Sequence, residues 1–289
     1  MITWKEAVSD LDELETDKIV LSNENNVMLC DGNNIAYRYL KRHNFNNFGE
    51  DYERTITSLA KSYGAKKVIV VFDFGKSVYR KTLHPEYKAN RKQPKNQTEQ
   101  EHYDQFFDCL NKVANDLPFE VIKHRGVEGD DIIAYLALGL KDKYDNVWII
   151  SSDKDLYQLL SPNVKIFNMF SRTEIDEQYV FDNFDGINPL QFQIFRIISG
   201  DDGDNIKGIE GIGKKRGPEI AKNYKDFAEF IAAIPLKGKQ KYVQNLNVGR
   251  DMLLLNEKLI NLLDHHKTAI ESVENGQELL KRLEEICKG

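Results

Sequence analysis

Three short apolar runs, Val27–Cys30, Val68–Phe72 and Val147–Ile150, punctuate the first half of the chain, each bounded by polar residues. The stretches between them carry helical patterns. Continuous apolar runs of this kind suit strands buried on both faces, as in a parallel sheet covered by helices. The pattern therefore predicts an α/β fold. Near the start, Trp4, Val8, Leu11 and Leu14 follow helical spacing and predict a short amphipathic helix lying on the body. The longest apolar stretch, Ile132–Leu140, is too short to span a bilayer.

With 289 residues the chain can bury one large core or two moderate ones, and 41% apolar with 30% charged residues suits a soluble globular protein. The acidic N-terminus lacks the basic region and apolar core of a signal peptide. Cys30, Cys109 and Cys287 lie far apart and form no CxxC pair, which fits a reducing cytoplasm and argues against a disulfide scaffold or a zinc site. The net charge of −6 argues at first against a nucleic-acid partner. Its distribution changes the picture. Residues 1–26 hold seven acids and two bases, whereas residues 76–95 hold seven Lys/Arg and one Glu, and residues 207–241 nine Lys/Arg and four acids. Two basic segments on an acidic chain predict a polarised surface.

The chemistry lies at the downstream end of each apolar run. "VMLCDG" delivers Asp31, "VIVVFDFG" delivers Asp73, and "VWIISSDKD" delivers Asp153 and Asp155. Ligands of open α/β sheets bind at the carboxyl ends of strands, so these acids are expected along one edge. "RGVEGDDIIAYLA" adds Glu128, Asp130 and Asp131 at a helix start, where acids also suit free backbone N–H groups, and "SGDDGDN" adds Asp201 and Asp204 at i, i+3. Nine carboxylates cannot stay close and ionised without cations. All-oxygen ligation suits Mg²⁺ or Mn²⁺, and a set this large suits two ions, the equipment of phosphodiester hydrolysis. Competing motifs are missing: the six histidines show no HExxH spacing, His265–His266 reads as a surface pair, and there is no GxSxG elbow, GxxxxGK[ST] loop or strand-borne GxGxxG.

"GDNIKGIEGIGKKRGPEIAKNY", residues 203–224, is the second signal. Gly208, Gly211 and Gly213 alternate with Ile206, Ile209 and Ile212, and Lys214, Lys215 and Arg216 come next. Pro218 suits the first turn of a new helix, leaving Gly217 near its cap. Two helices joined by a glycine-rich turn present backbone N–H groups to phosphate oxygens, and the adjacent bases add charge.

Six segments, "LCDGNNIAYR", "VVFDFGKSVYR", "EYKANR", "GVEGDDIIAYLA", "SSDKDLYQLL" and "GDDGDNIKGIEGIGKKRG", occur in one order over most of residues 27–225. Together they resemble the 5′-nucleases, or flap endonucleases, of phages, a family that extends to the 5′-nuclease domain of bacterial DNA polymerase I. The resemblance implies a PIN-like α/β core over residues 27–199, with a helical arch at about 80–117, after an amphipathic extension over residues 1–26. It also implies a helix-three-turn-helix (helix-hairpin-helix-like) region with further helices over residues 200–289. Position by position, Asp31, Asp73, Glu128, Asp130, Asp131, Asp153, Asp155, Asp201 and Asp204 match the family's metal-site acids. Lys88 and Arg91 match the basic pair that contacts the scissile phosphate, and Tyr87 an aromatic that stacks on a terminal base. Gly211, Gly213, Lys214, Lys215 and Arg216 fall in the duplex-binding hairpin. Asp202 and Gly203, between the last two acids, depart from the polymerase-domain pattern, and the stretch "RKQPKNQTEQEHYD" shows little motif.

The implied activity is structure-specific 5′-nuclease cleavage of DNA, with two or more Mg²⁺ per site, Mn²⁺ substituting, and a monovalent cation at the hairpin. One divalent ion would activate water and another would stabilise the departing 3′-oxygen, leaving 5′-phosphate and 3′-hydroxyl ends. The expected partner is branched or 5′-flapped DNA, the expected state a monomer away from membranes, in a host bacterial cytoplasm if phage-encoded. Two rival readings share part of this pattern. One is a topoisomerase–primase (Toprim) nuclease, which has an acid pair like that of "SDKD" but begins on a Glu-ended strand; the other is a DNA-binding protein that has lost its metal site.

Overall fold

The computed structural model describes residues 25–42, 44–91 and 93–288. The amphipathic segment expected at residues 1–24 lies outside them. Six strands form one sheet: β1 (Asn26–Asp31), β2 (Ala65–Phe74), β3 (Glu120–Arg125), β4 (Asn146–Ile150), β5 (Val164–Asn168) and β6 (Thr173–Ile175). Their order is β3-β2-β1-β4-β5-β6, parallel except for the last pair. Where β1 lies between β2 and β4, the chain crosses over in opposite directions, so the carboxyl ends of these strands open a crevice there.

Side-chain alternation along β1 divides the interior in two. Val27 and Leu29 join a core with α5 (Gly129–Leu140) and the C-terminal helices, while Met28 and Cys30 join a second core on the opposite face. That second core is closed by α2 (Phe48–Ser62) and α4 (Gln97–Asp116), through Tyr52, Ile56, Phe106 and Leu110. Between β1 and α2 lies a short helix α1 (Gly32–Ala36), capped by Asp31, and after β2 comes α3 (Val78–Leu83), capped by Ser77. Strands β3, β5 and β6 were not expected from the sequence. The run "EVIKHR" of β3 interrupts its apolar residues with charge because it is an edge strand, buried fully only at Ile122.

The C-terminal half is helical. It comprises α6 (Glu177–Asn183), α7 (Pro189–Ser199), the short ladder β7 (Gly200–Asp201) with β8 (Ile206–Lys207), then α8 (Arg216–Ala221), α9 (Phe227–Ala232), α10 (Lys241–Val248), α11 (Arg250–Ile260), α12 (Leu262–Glu271) and α13 (Gly276–Lys288). Helix α7 opens with a reciprocal capping box, in which Asn188 and Gln191 bond each other's backbone N–H, and with Pro189 in its first turn. Helices α12 and α13 pack on α5, and one buried cluster runs from Val27 to Cys287. The boundary expected at residue 200 therefore marks a change of element type within a shared core. Within the span expected as an arch, α3 is built into the body, where Arg80 is 3% exposed, and the second half of α4 packs on the sheet through Phe106, Leu110 and Val113.

Candidate active site

The strand ends deliver their acids to one place. Asp31 accepts the N–H of Asn34 (3.0 Å) and the hydroxyl of Ser151 (2.8 Å). Asp73 accepts the Gly129 N–H at 2.6 Å, while its own N–H donates to Asn33 Oδ1 at 2.9 Å. Beyond β4, Asp153 accepts the Asp155 N–H at 2.8 Å. Asp130 sits in the first turn of α5.

None of Asp31, Asp73, Asp130 and Asp153 forms an ion pair among the described residues. Burial and then the charge of Asp73 push Asp31 up to about 7. Burial, followed by Asp153, Asp31 and Asp73, holds Asp130 well above the usual carboxylate range. Burial likewise raises Asp73 and Asp153. Four carboxyls that repel one another without an ion pair, offset only in part by Lys88, Arg91 and Arg196, are an oxygen-rich site short of positive charge, which suits hard divalent ions.

A second group adjoins the first. Oxygen atoms of Asp155, Asp201 and Asp204 lie within 4.8 Å of one another. Arg196 of α7 bridges two of them, its Nε donating to Asp155 at 2.8 Å and its Nη2 to Asp201 at 2.5 Å. Burial still raises Asp155 to about 6 against the pull of Arg196. Asp204 behaves oppositely: burial pushes it up, but Lys88, the Tyr87 hydroxyl and Arg91 hold it below its usual range.

The basic segment is stitched to this group. The Lys88 N–H donates to the Asp204 carbonyl at 2.9 Å, and Asn205 donates to the Glu86 carbonyl at 2.8 Å. Lys88 Nζ reaches Glu128 at 2.5 Å and Asp204 at 3.5 Å, and Arg91 reaches Asp204 at 3.0 Å. Lys88 has φ of 55°, a left-handed conformation costly for a residue with a side chain and found where surroundings impose it. Burial would raise Glu128, yet Arg80 and Lys88 prevail and lower it.

Beyond the acids, Ile206, Ile209 and Ile212 are buried and anchor the glycine-rich turn. A Cβ on Gly208 would lie 2.0 Å from the Ser199 carbonyl oxygen, so only glycine permits that approach, and Gly211 has φ of +87°. Gly213, Lys214 and Lys215 are exposed. Arg216 donates to the Gly211 carbonyl at 2.8 Å and lies 5.1 Å from the Tyr242 ring centroid. It braces the turn.

The family model of the 5′-3′ exonuclease N-terminal resolvase-like domain matches residues 26–185. The chain is 39% identical over 277 residues to the flap endonuclease of Escherichia phage T5, covering 93% of this chain and 94% of that protein. It is 31% identical over 244 residues to a 5′-3′ exonuclease of Buchnera aphidicola, covering 79% and 83%. A crystal structure of the bacteriophage T5 flap endonuclease, a pseudo-enzyme–product complex with DNA and metal ions, superposes with a TM-score of 0.84 at 36% identity, over 91% of this chain and 100% of that one. The chain belongs to the 5′-3′ exonuclease family.

In this family member the core is the expected PIN-like α/β fold. Two side chains lie elsewhere than expected. Asp131, grouped with the metal-site acids, is fully buried on another side of α5, where it pairs with Arg80 through bonds of 2.6 and 2.9 Å. Successive helix positions diverge by about 100°, which separates it from Asp130. Tyr87, expected to stack on a base, is 3% exposed and donates its hydroxyl to Glu128 and Asp204, each at 2.9 Å. Gly217, in contrast, lies in the first turn of α8 near its cap, as expected, where a Cβ would meet the Phe195 ring at 2.3 Å.

Arg80 and Arg196 escaped sequence reasoning. Arg80 stood within a basic segment read as surface, yet it is buried with three acceptors: Asp131, Glu128 and the Leu259 carbonyl. Arg196 is the one charged residue in α7, which was the available signal. His265 and His266 are half-buried, bonded to Glu257 and to the Leu262 carbonyl.

Proposed function

We propose that this 5′-3′ exonuclease family member is a divalent-metal-dependent, structure-specific nuclease, acting as flap endonuclease and 5′-3′ exonuclease at single-strand/duplex junctions of DNA. The observation that carries this reading is the set Asp31, Asp73, Asp130 and Asp153: four carboxyls gathered at strand and helix ends, raised by burial and mutual repulsion, with no ion pair among the described residues. These residues and the adjoining Asp155, Asp201, Asp204 and Glu128 would hold Mg²⁺, with Mn²⁺ a substitute of the same oxygen preference. When bound, such ions supply an activated water and charge neutralisation at phosphorus.

The remaining chemistry falls to the chain. Lys88 and Arg91 flank the acids and add positive charge where the phosphoryl oxygens become more negative. Tyr87, Arg80 and the left-handed backbone at Lys88 hold Glu128 and Lys88 in place. At the hairpin, Lys214, Lys215 and the backbone from Gly211 to Gly213 would grip duplex phosphates without reading sequence. Arg216 already donates to the Gly211 carbonyl, so a monovalent cation would have to use that oxygen's second lone pair or other carbonyls of the turn. The products are a 5′-phosphate and a 3′-hydroxyl, and the working unit is a monomer that meets its DNA in the cytoplasm. Membership of this family disfavours the Toprim reading.

The test is cleavage of a 5′-labelled flap substrate beside blunt duplex and single strand, with Mg²⁺ and with EDTA. Cleavage near the junction, dependent on the metal and strongest on the flap, is expected. Undiminished cutting in EDTA would exclude the mechanism, and equal cutting of plain single strand would exclude structure specificity.

A further inference from the structure

Helix α7 ends where the acids meet the glycine-rich turn. A helix terminus leaves its last four carbonyls without partners inside the helix. In α7 three of them are taken from outside: the Gly200 N–H donates to Arg196, the Ile209 N–H to Ile198 at 2.8 Å, and the side-chain amide of Asn256 to Ile197 at 3.0 Å. The same amide nitrogen also donates to the Lys207 carbonyl of β8, at 2.8 Å. Asn256 is 2% exposed and sits in the buried stripe of α11 with Leu253, Leu259 and Ile260. An amide in such a stripe is costly unless its donors are used. Here they join two elements with different duties.

On one side of that joint, Arg196, the residue before Ile197, holds Asp155 and Asp201. On the other, Lys207 leads directly into Gly208 and the turn that ends in Lys214 and Lys215. The β7–β8 ladder between them has only two residues in each strand, too short to be stiff alone. Helix α11 reaches the far flank of the acids as well. The Leu259 carbonyl, one turn on from Asn256, accepts Arg80 Nε at 2.9 Å, and Arg80 pairs with Glu128, the partner of Lys88.

The spacing of the substrate sets the tolerance. Successive phosphates rise about 3.4 Å along one strand of duplex. A turn that grips duplex phosphates can select one phosphodiester only if it stays fixed to the acids within a fraction of that rise. We infer that Asn256 is a positioning residue that pins the duplex-gripping turn to the catalytic acids, and so sets which phosphodiester is cut. This rests on the nuclease function proposed above. Asn256 acts through two backbone carbonyls rather than on the reacting atoms.

Asn245 supplies the control, because it also supports the turn, from α10, by donating to the Glu210 carbonyl at 2.9 Å, and its bond stays on the turn side of the joint. Single-turnover cleavage of a 5′-labelled DNA flap, with products resolved to one nucleotide, is compared for wild type, Asn256→Ala, the volume-matched Asn256→Leu and Asn245→Ala. Urea unfolding confirms that each variant is folded, and duplex affinity is measured in EDTA. In the Asn256 variants the ratio of products cut one nucleotide away to the main product should rise about fivefold, the factor carried by one net hydrogen bond, with duplex affinity nearly unchanged. Asn245→Ala should keep the wild-type pattern. A folded Asn256 variant that cuts at the wild-type position, whatever its rate, would overturn the inference and leave Asn256 a purely structural residue. Equal scatter in Asn245→Ala would also overturn it, since any loosening of the turn would then suffice. Failure of the wild-type protein to cut the flap would instead remove the nuclease function itself, a result read before any variant is compared.

Discussion

Asp31→Asn separates the electrostatic cost of the active site from its use. Asp31 is held at about 7 against an ordinary value of 3.8, chiefly by burial and then by Asp73. The folded protein therefore binds this proton more tightly than the unfolded chain, and raising the pH from about 4 to 7 destabilises the metal-free fold. Three pKa units correspond to about 4 kcal/mol at pH 8; solvent relaxation around a partly exposed site would leave about 2 kcal/mol of it. Asparagine is nearly isosteric and has no charge to bury. In EDTA, Asp31→Asn should thus be more stable than the parent by about 2 kcal/mol at pH 8, with the gap falling to about 1 kcal/mol or less at pH 5. Mg²⁺ should reverse the order, because a ligand at 100 times its Kd stabilises the parent by about 2.7 kcal/mol, and the variant has lost a ligand. Urea unfolding at both pH values, with EDTA and with Mg²⁺, measures all four quantities. A variant less stable than the parent in EDTA at pH 8, or a gap independent of pH, would show that Asp31 bears no such strain.

Lys88→Ala should slow single-turnover cleavage by about 10²-fold or more while leaving Mg²⁺ affinity nearly unchanged; a wild-type rate would reduce Lys88 to surface charge. Replacing Lys214 and Lys215 together with Ala should weaken binding equally on unrelated duplexes and lower the slope of log K against log salt by about 2, whereas loss on one sequence alone would point to base reading. Arg80→Met should cost about 3–5 kcal/mol by stranding the buried Asp131, and urea unfolding of Arg80→Met with Asp131→Leu should recover much of it; no recovery would mean that Arg80 acts through Glu128 or the Leu259 carbonyl instead.

The sheet's central strands and the positions of the site's acids were legible in local pattern. Val27–Cys30, Val68–Phe72 and Val147–Ile150 are apolar on both faces because each strand is covered on both, and an aspartate at the end of such a strand is delivered to the crevice by the direction of the chain. The glycine pattern of the hairpin was equally readable, since Gly208 and Gly211 answer to local backbone demands. Which charges face the site is another matter, settled only when the elements pack. Asp130 and Asp131 are neighbours with the same chemistry, yet one turns toward three other acids and its neighbour toward Arg80. Arg80 finds Asp131, 51 residues on, and Arg196 finds Asp155, 41 residues back, only after α3 and α7 have packed. Edge strand β3 and the burial of Tyr87 depend likewise on neighbours remote in the chain. Local patterning records what a residue needs from its own element; the partner of a buried charge is a property of the packing between elements.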